Sequence, residues 1–234
     1  HALYNNALNA LEANEYSKAT KSFEEVERQH PYSVWATKAQ LMAAYANYEA
    51  NKYDDAIFGL DRFIQLHPGN SDTPYAYYLK ALSYYEQITD ISRDQLVTEK
   101  ALKALRNVVR RYPQTKYARS ALLKIDLTRD HLAGKEMSIG RFYLKKKEYT
   151  AAINRFNRVI NQYQTTTHVP EALHRSVEAY TALGLPKEAK KAASVLGHNY
   201  PGSEWYTDSY ALLMGKKLSK KKKGFLNRIW NSVF

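Results

Sequence analysis

The sequence of 234 residues contains no cysteine, which excludes disulfides, cysteine-based zinc sites and thiol chemistry for these residues. Its 9 glycines and 7 prolines are too few for a long flexible low-complexity region. It has no run of about 18 to 20 apolar residues, so no membrane-spanning helix is predicted. The hydrophobic content of 44% is nevertheless sufficient for a packed chain.

Catalytic and metal-binding motifs are also missing. The chain has no nucleophile elbow, no phosphate-binding loop and no dinucleotide fingerprint. His168 and His174 lie six residues apart, which differs from the i, i+4 spacing that places two metal ligands on one helix face. The sequence therefore predicts a non-enzymatic protein with no cofactor and no metal site.

A helical motif recurs five times along the chain. Each copy has an aligned small residue, followed four and seven positions later by apolar residues that form one helix stripe. The small residue lets two helices approach closely, and a proline twelve residues later ends the helix in every copy except the fourth. The repeat predicts an all-α α-solenoid of five helical hairpins, because hairpins bury their apolar faces only by stacking. The aligned residues are Ala19, Ala56, Ala101, Ala152 and Ala189.

The spacing between the aligned alanines predicts the departures from a regular array. An inserted loop is expected at 88–95, where Asp90, Ser92 and Asp94 favour turns. One long helix is expected over 117–147, with Gly134 and Gly140 marking a bend or a close helix crossing. Other predicted features are hairpins over 2–29 and 33–66 with turns at 13–14 and 51–52, a last turn at 184–186, and a capping helix over 204–213.

The net charge of +12 is concentrated at the C-terminal end of the chain, where seven cations and no acid follow residue 214. Apolar residues at helical spacing follow the lysine run. This pattern suits an anionic membrane surface, and it equally suits a segment that stays disordered until a partner helix is present. The predicted membrane or partner tail comprises Lys220, Lys221, Lys222, Lys223, Phe225 and Trp230.

The motif is similar to the tetratricopeptide pattern: a small residue, tyrosine three positions on, alanine nine after that, then apolar residues and a proline. The order of the copies resembles the BamD family, the lipoproteins of the β-barrel assembly machinery. The stretches that carry the resemblance are 41–48 (LMAAYANY), 63–68 (FIQLHP), 75–87 (YAYYLKALSYYEQ), 111–118 (RYPQTKYA), 132–143 (LAGKEMSIGRFY), 169–173 (VPEAL) and 199–206 (NYPGSEWY).

The resemblance implies a protein on the periplasmic face of the outer membrane of a Gram-negative bacterium. The family is held there by a lipidated N-terminal cysteine, which is absent from this sequence, and we expect a processed leader before His1. The implied partners are a POTRA domain of BamA, other lipoproteins of the assembly complex and C-terminal segments of unfolded outer-membrane proteins. No nucleic-acid partner is expected. The implied division is 1–116 for substrate peptides, 117–214 for partner docking and 215–234 as the tail.

Tyrosines on the first helices of the second and third copies predict a peptide groove, because those helices line the concave face of a solenoid. A tyrosine offers a rigid apolar ring with a polar tip, which suits extended peptides. The alternative is that the rings pack between helices. Adjacent tyrosines point about 100° apart, so one of each pair is expected in the core and the other accessible. The predicted groove comprises Tyr45, Tyr48, Tyr77, Tyr78, Tyr84 and Tyr85, with Lys38 and Arg62 to bind a peptide carboxylate.

Three arginines make the fourth copy basic and predict a docking face for an acidic partner, because the planar guanidinium pairs well with carboxylates. They are Arg141, Arg155 and Arg158. By resemblance, Asn154 and Arg155 match the part of the fourth repeat that contacts BamA. The alternative is a solvated helix face.

Two other functions stay open from the sequence alone. The basic tail is compatible with a binder of anionic surfaces, either membrane or nucleic acid. The repeats are also compatible with a cytosolic peptide-docking module of the co-chaperone type.

Overall fold

The computed structural model describes residues 2–91 and 93–215, and all regular elements in these ranges are α-helices. The chain divides into two compact units, one ending at Leu132 and the other beginning at Ala133. The helices are α1 (Ala2–Glu12), α2 (Tyr16–Gln29), α3 (Val34–Glu49), α4 (Tyr53–Leu66), α5 (Thr73–Tyr85), α6 (Leu96–Arg111), α7 (Lys116–Lys145), α8 (Tyr149–Gln162), α9 (Val169–Ala182), α10 (Pro186–Asn199) and α11 (Glu204–Leu213). The prediction of an all-α array of five hairpins and a capping helix is confirmed over these residues.

The hairpin turns lie where the sequence predicts them. Asn14 and Asn51 have φ values of 59° and 58°, and Gly184 has 72°. These left-handed conformations are least costly for glycine and are tolerated by asparagine, which explains the residue types at the turns. Lys147 adopts the same conformation between α7 and α8, with φ of 65°.

The aligned alanines lie in the core of the hairpins. All five have no exposed surface, and the apolar residues four positions later, from Phe23 in the first copy to Phe156 in the fourth, are also fully buried. Gly140 in α7 faces the ring of Phe156 in α8. The close helix crossing predicted at Gly140 is therefore present.

The irregular segments also agree with the predictions. The connection between α5 and α6 covers the predicted inserted loop, of which Ser92 lies outside the described residues. The long helix is α7, with 30 residues. The capping helix α11 begins after Ser203, whose Oγ accepts a hydrogen bond from the amide of Trp205 at 3.2 Å. It packs on α9 and α10.

Within the described part of the chain, no helix combines the length and the apolar character needed to cross a membrane. The predicted tail, with Lys220 to Lys223, Phe225 and Trp230, lies outside the described residues.

Candidate functional site

The first unit brings together tyrosines from α3, α5 and α7. The ring of Tyr117 in α7 lies 5.5 Å from the rings of both Tyr75 and Tyr78 in α5. On α3, Tyr48 lies 5.8 Å from Tyr53 of α4. These rings are half-buried, so each keeps an accessible part. We call this set the tyrosine surface: Tyr45, Tyr48, Tyr75, Tyr78, Tyr85 and Tyr117.

The contacts between α5 and α7 follow one another along both helices. The hydroxyl of Tyr78 lies 2.6 Å from the Oγ of Ser120. Further along, the Nζ of Lys124 lies 4.1 Å from the centroid of the Tyr85 ring, a cation–π geometry. Because positions 120 and 124 are one helical turn apart, α7 presents polar side chains to α5 in register.

Burial is the main cause that raises the pKa of four hydroxyls of the tyrosine surface, those of Tyr45, Tyr48, Tyr75 and Tyr85. Burial is the main cause that raises the pKa of Tyr48 to about 12, with a smaller contribution from the Glu86 carboxylate. Burial likewise raises the pKa of Tyr75, followed by the neighbouring Tyr45 and Tyr117. The surface therefore offers apolar rings and neutral hydroxyl donors at neutral pH.

Tyr77 belongs to a different contact from Tyr78. Its ring lies 5.5 Å from Tyr112 and 5.3 Å from the guanidinium carbon of Arg111, both at the end of α6. Tyr77 and Tyr78 are both half-buried. The expectation of one buried and one accessible ring is therefore wrong for this pair, because α6 and α7 each cover one of the two directions. Tyr84 is half-buried as well.

The two cations expected to bind a peptide carboxylate lie in different environments. The Nζ of Lys38 lies 5.3 Å from the Trp35 ring. Arg62 instead donates to both carboxylate oxygens of Glu27, at 2.5 and 3.3 Å. It lines a cavity of about 390 Å³ between α2, α3 and α4, to which no residue of the tyrosine surface contributes. The structure therefore does not place Arg62 beside the tyrosines.

The arginines of the second unit have acidic partners within the chain. Glu136 of α7 lies 3.2 Å from Arg155 and 3.2 Å from Arg158, and Arg141 lies 3.0 Å from Glu171. The Glu136 side chain is only 14% exposed, whereas that of Arg158 is 55% exposed. The carboxylate thus lies beneath the guanidinium groups, and Arg155, Arg158 and Glu136 together carry one net positive charge. We call these three residues the arginine cluster.

A second ion network joins α9 to the capping helix. Arg175 pairs with Glu178 at 2.8 Å and lies 5.3 Å from the ring of Trp205. His174 is buried, with its Nδ1 2.8 Å from the Oγ of Ser209. Burial alone would raise the pKa of Glu178, but the hydrogen bond with His174 and the charge of Arg175 outweigh it and hold this pKa below its usual value.

Sequence reasoning missed Tyr117, Ser120 and Lys124 as members of this site. All three lie in the first half of α7, where the chain departs from the regular repeat. The four-residue spacing of Lys116, Ser120 and Lys124 was an available signal, because it places polar groups on one helix face.

Comparison with known proteins gives the family. Residues 1–196 match the family YfiO, described as an outer membrane lipoprotein. The outer membrane protein assembly factor BamD of Caulobacter vibrioides is 55% identical, over 90% of this chain and 69% of that protein. The BamD protein of Rickettsia prowazekii is 52% identical, over 90% of this chain and 84% of that protein. The BamD protein of Neisseria meningitidis serogroup A is 34% identical, over 89% of this chain and 82% of that protein.

Among solved structures, the TPR domain of P58(IPK) is similar with a TM-score of 0.46 and 16% identity, over 90% of this chain and 55% of that chain. The residues matched by the YfiO family include both the tyrosine surface and the arginine cluster.

Proposed function

Because the chain belongs to the YfiO family of outer membrane lipoproteins and is at least 52% identical to two BamD assembly factors, we propose that it is a non-enzymatic scaffold of outer-membrane β-barrel assembly. In this proposal the second unit docks a POTRA domain of BamA, and other lipoproteins of the complex attach to the same scaffold. The first unit binds C-terminal segments of unfolded outer-membrane proteins. The protein acts at the periplasmic face of the outer membrane, held by an N-terminal lipid.

The observation that carries the peptide-binding part is the tyrosine surface. Three neighbouring helices contribute half-buried rings, and burial raises the pKa of the hydroxyls of Tyr48 and Tyr75. An extended segment of an unfolded β-barrel protein alternates apolar and polar side chains, and such a surface offers both kinds of contact. Tyrosine also loses little conformational entropy on binding, because it has only two rotatable side-chain bonds.

The arginine cluster supports the docking part. Glu136 fixes the guanidinium groups of Arg155 and Arg158 from below, while 55% of the Arg158 side chain stays accessible. A guanidinium held in this way has already lost its rotational freedom. Pairing with a partner carboxylate therefore costs less conformational entropy. Arg141, held by Glu171, adds a third cation in the same unit.

A crossed binding experiment tests both parts together. The chain would be titrated with the POTRA domains of BamA from the same organism and, separately, with a C-terminal peptide of one of its outer-membrane β-barrel proteins. We expect Arg155→Glu to weaken POTRA binding at least about tenfold and leave peptide binding unchanged, because it reverses a charge only in the second unit. Tyr117→Ala should weaken peptide binding and leave POTRA binding unchanged.

Arg28→Glu serves as the control for charge reversal, because Arg28 is an exposed cation in the first unit that also pairs with a glutamate, Glu25. It should leave both affinities unchanged. The scaffold proposal is rejected if the unaltered chain binds neither POTRA domains nor peptide. Equal effects of Arg155→Glu and Arg28→Glu on POTRA binding would remove the arginine cluster from the interface.

A further inference from the structure

A small cavity lies between the end of α5 and the middle of α7, next to the tyrosine surface. Its volume is about 270 Å³, below the roughly 300 to 1,000 Å³ of pockets for whole small molecules, so it suits a single side chain. It is lined by Tyr85, Glu86, Ile88, Leu127, Thr128 and His131. Ile88, Leu127 and the ring of Tyr85 give it apolar walls.

A cation without a counter-ion lies beside this cavity. The Nζ of Lys124 lies 4.1 Å from the centroid of the Tyr85 ring, and the side chain is half-buried. Among the residues that the structure describes, no carboxylate lies within 4.0 Å of this ammonium group. The Lys124 ammonium group is not among the buried polar atoms that lack a partner, so it is accessible to an anion as well as to water. Lys124 can therefore pair with an anion beside the cavity.

A second polar group of the cavity is also unsatisfied. The Nε2 of His131 is buried and has no hydrogen-bond partner within the described part of the chain. A buried polar atom without a partner is unfavourable, because it has lost its hydrogen bonds to water. His131 and Lys124 lie seven residues apart on α7, about two helical turns, and hence on one face of that helix. Two hydrogen-bonding groups thus lie beside one apolar cavity.

We propose that this cavity is the end pocket of the tyrosine surface and binds the last residue of a peptide. The apolar side chain of that residue packs against Ile88, Leu127 and Tyr85. Its terminal carboxylate accepts hydrogen bonds from Lys124 and from His131. The inference rests on the proposed peptide binding and adds to it the chemical group that is recognised, a free C-terminal carboxylate next to an apolar side chain.

The geometry assigns the carboxylate to a different place from the one predicted by sequence. Arg62 forms an ion pair with Glu27 and lines another cavity. Lys38 lies against Trp35 on α3. Lys124 combines an ammonium group without a carboxylate partner among the described residues, a tyrosine ring of the surface and an adjacent cavity.

Glu86 limits which peptides fit. It is exposed and lines the same cavity, so its carboxylate disfavours every anion bound there. The Lys124 ammonium offsets this repulsion for the terminal carboxylate, whereas a second anion has no such partner. A peptide with an acidic residue just before its last residue should therefore bind more weakly than one with a neutral residue there.

The test compares one peptide in two forms, with a free C-terminal acid and with a C-terminal amide. The probe is a fluorescein-labelled nine-residue peptide that alternates apolar and polar residues and ends in phenylalanine, and the full chain is titrated into it by anisotropy. The unaltered chain should bind the acid at least about tenfold more tightly than the amide, because hydrogen bonds to a charged group contribute about 1.5 to 3 kcal/mol.

Three substitutions locate the recognition. Lys124→Gln should weaken binding of the acid about tenfold and leave the amide unchanged, so retained amide binding shows that the chain is still folded. His131→Gln should also reduce the ratio of acid affinity to amide affinity. Lys38→Gln, which also removes one ammonium group beside an aromatic ring, should leave both affinities unchanged.

The possible results separate this inference from the proposed function. If the unaltered chain binds acid and amide equally well, peptide binding stands and the end pocket is rejected. If Lys38→Gln abolishes the preference and Lys124→Gln does not, the carboxylate binds at Lys38 and the pocket is again rejected. If neither form binds, the proposed peptide-binding function itself is wrong.

Discussion

Gly140 of α7 lies so close to Phe156 of α8 that a methyl group at residue 140 would be 2.8 Å from the Cδ1 of the ring. Both residues are buried, and the ring cannot move aside without disturbing its neighbours. Gly140→Ala should therefore destabilise the chain by about 1 to 3 kcal/mol, although alanine favours a helix by about 1 kcal/mol. Urea denaturation measures the difference in free energy of unfolding.

Gly69→Ala is the control for this substitution, because a methyl group there would meet no atom within 4 Å. Its free energy of unfolding should stay within about 0.5 kcal/mol of the unaltered chain. A stabilising effect of Gly140→Ala would show that the two helices separate easily, contrary to the packing described.

The hydrogen bond between Tyr78 and Ser120 should stabilise the contact of α5 with α7. Tyr78→Phe and Ser120→Ala each remove one partner of the 2.6 Å contact, and the double substitution removes both. We expect a coupling energy of about 0.5 to 1.5 kcal/mol in a double-mutant cycle of unfolding free energies. Purely additive effects would indicate that the two hydroxyls do not interact in solution.

Glu178 should contribute a pH-dependent part of the stability. Its pKa in the folded chain is lowered, so its stabilisation is present above the unfolded value near 4.5 and is lost as the pH falls through the folded value. Glu178→Gln should therefore reduce the loss of unfolding free energy between pH 6 and pH 3. Urea titrations across that range would measure the slope. Glu24→Gln, at an exposed position of α2, should leave it unchanged.

Arg62 should be dispensable for peptide binding, since it pairs with Glu27 away from the tyrosine surface. Arg62→Gln should leave the affinity for a C-terminal peptide of an outer-membrane protein within about twofold. Tyr75→Ala, which removes a half-buried ring from the centre of the tyrosine surface, should weaken it about tenfold or more. A strong effect of Arg62→Gln, measured by fluorescence anisotropy, would restore the carboxylate position expected from the sequence.

The repeat pattern was sufficient to predict the helices and the turns, and it left a bend or a close crossing open at Gly140, where the structure has a close crossing. These features depend on residues near one another in the chain: alanine and glycine permit close contact, proline ends a helix, and asparagine or glycine accepts the left-handed turn. The family was also predicted from the sequence, by resemblance, and is confirmed by the YfiO match over residues 1–196 and by the similar BamD proteins.

The members of the candidate site could be predicted only in part. Tyrosines on α3 and α5 were identified, but whether a ring faces α6, as Tyr77 does, or α7, as Tyr78 does, depends on which helix packs on each side of α5. The ion pair between Arg62 and Glu27 could not be predicted either, because the two residues are 35 positions apart in the sequence.

The amino-acid sequence by itself thus determined the helical repeat and its turns, since these follow from local periodicity and conformational preference. It also indicated the family, through its resemblance to known members. Only the tertiary structure decided which charges are already paired and which are not. Glu136 forms ion pairs with Arg155 and Arg158, and Glu27 forms one with Arg62. Lys124 instead lies over the Tyr85 ring beside a cavity. The physical reason is that an ion pair requires charges to meet within about 4 Å, and the packing of distant helices sets that distance.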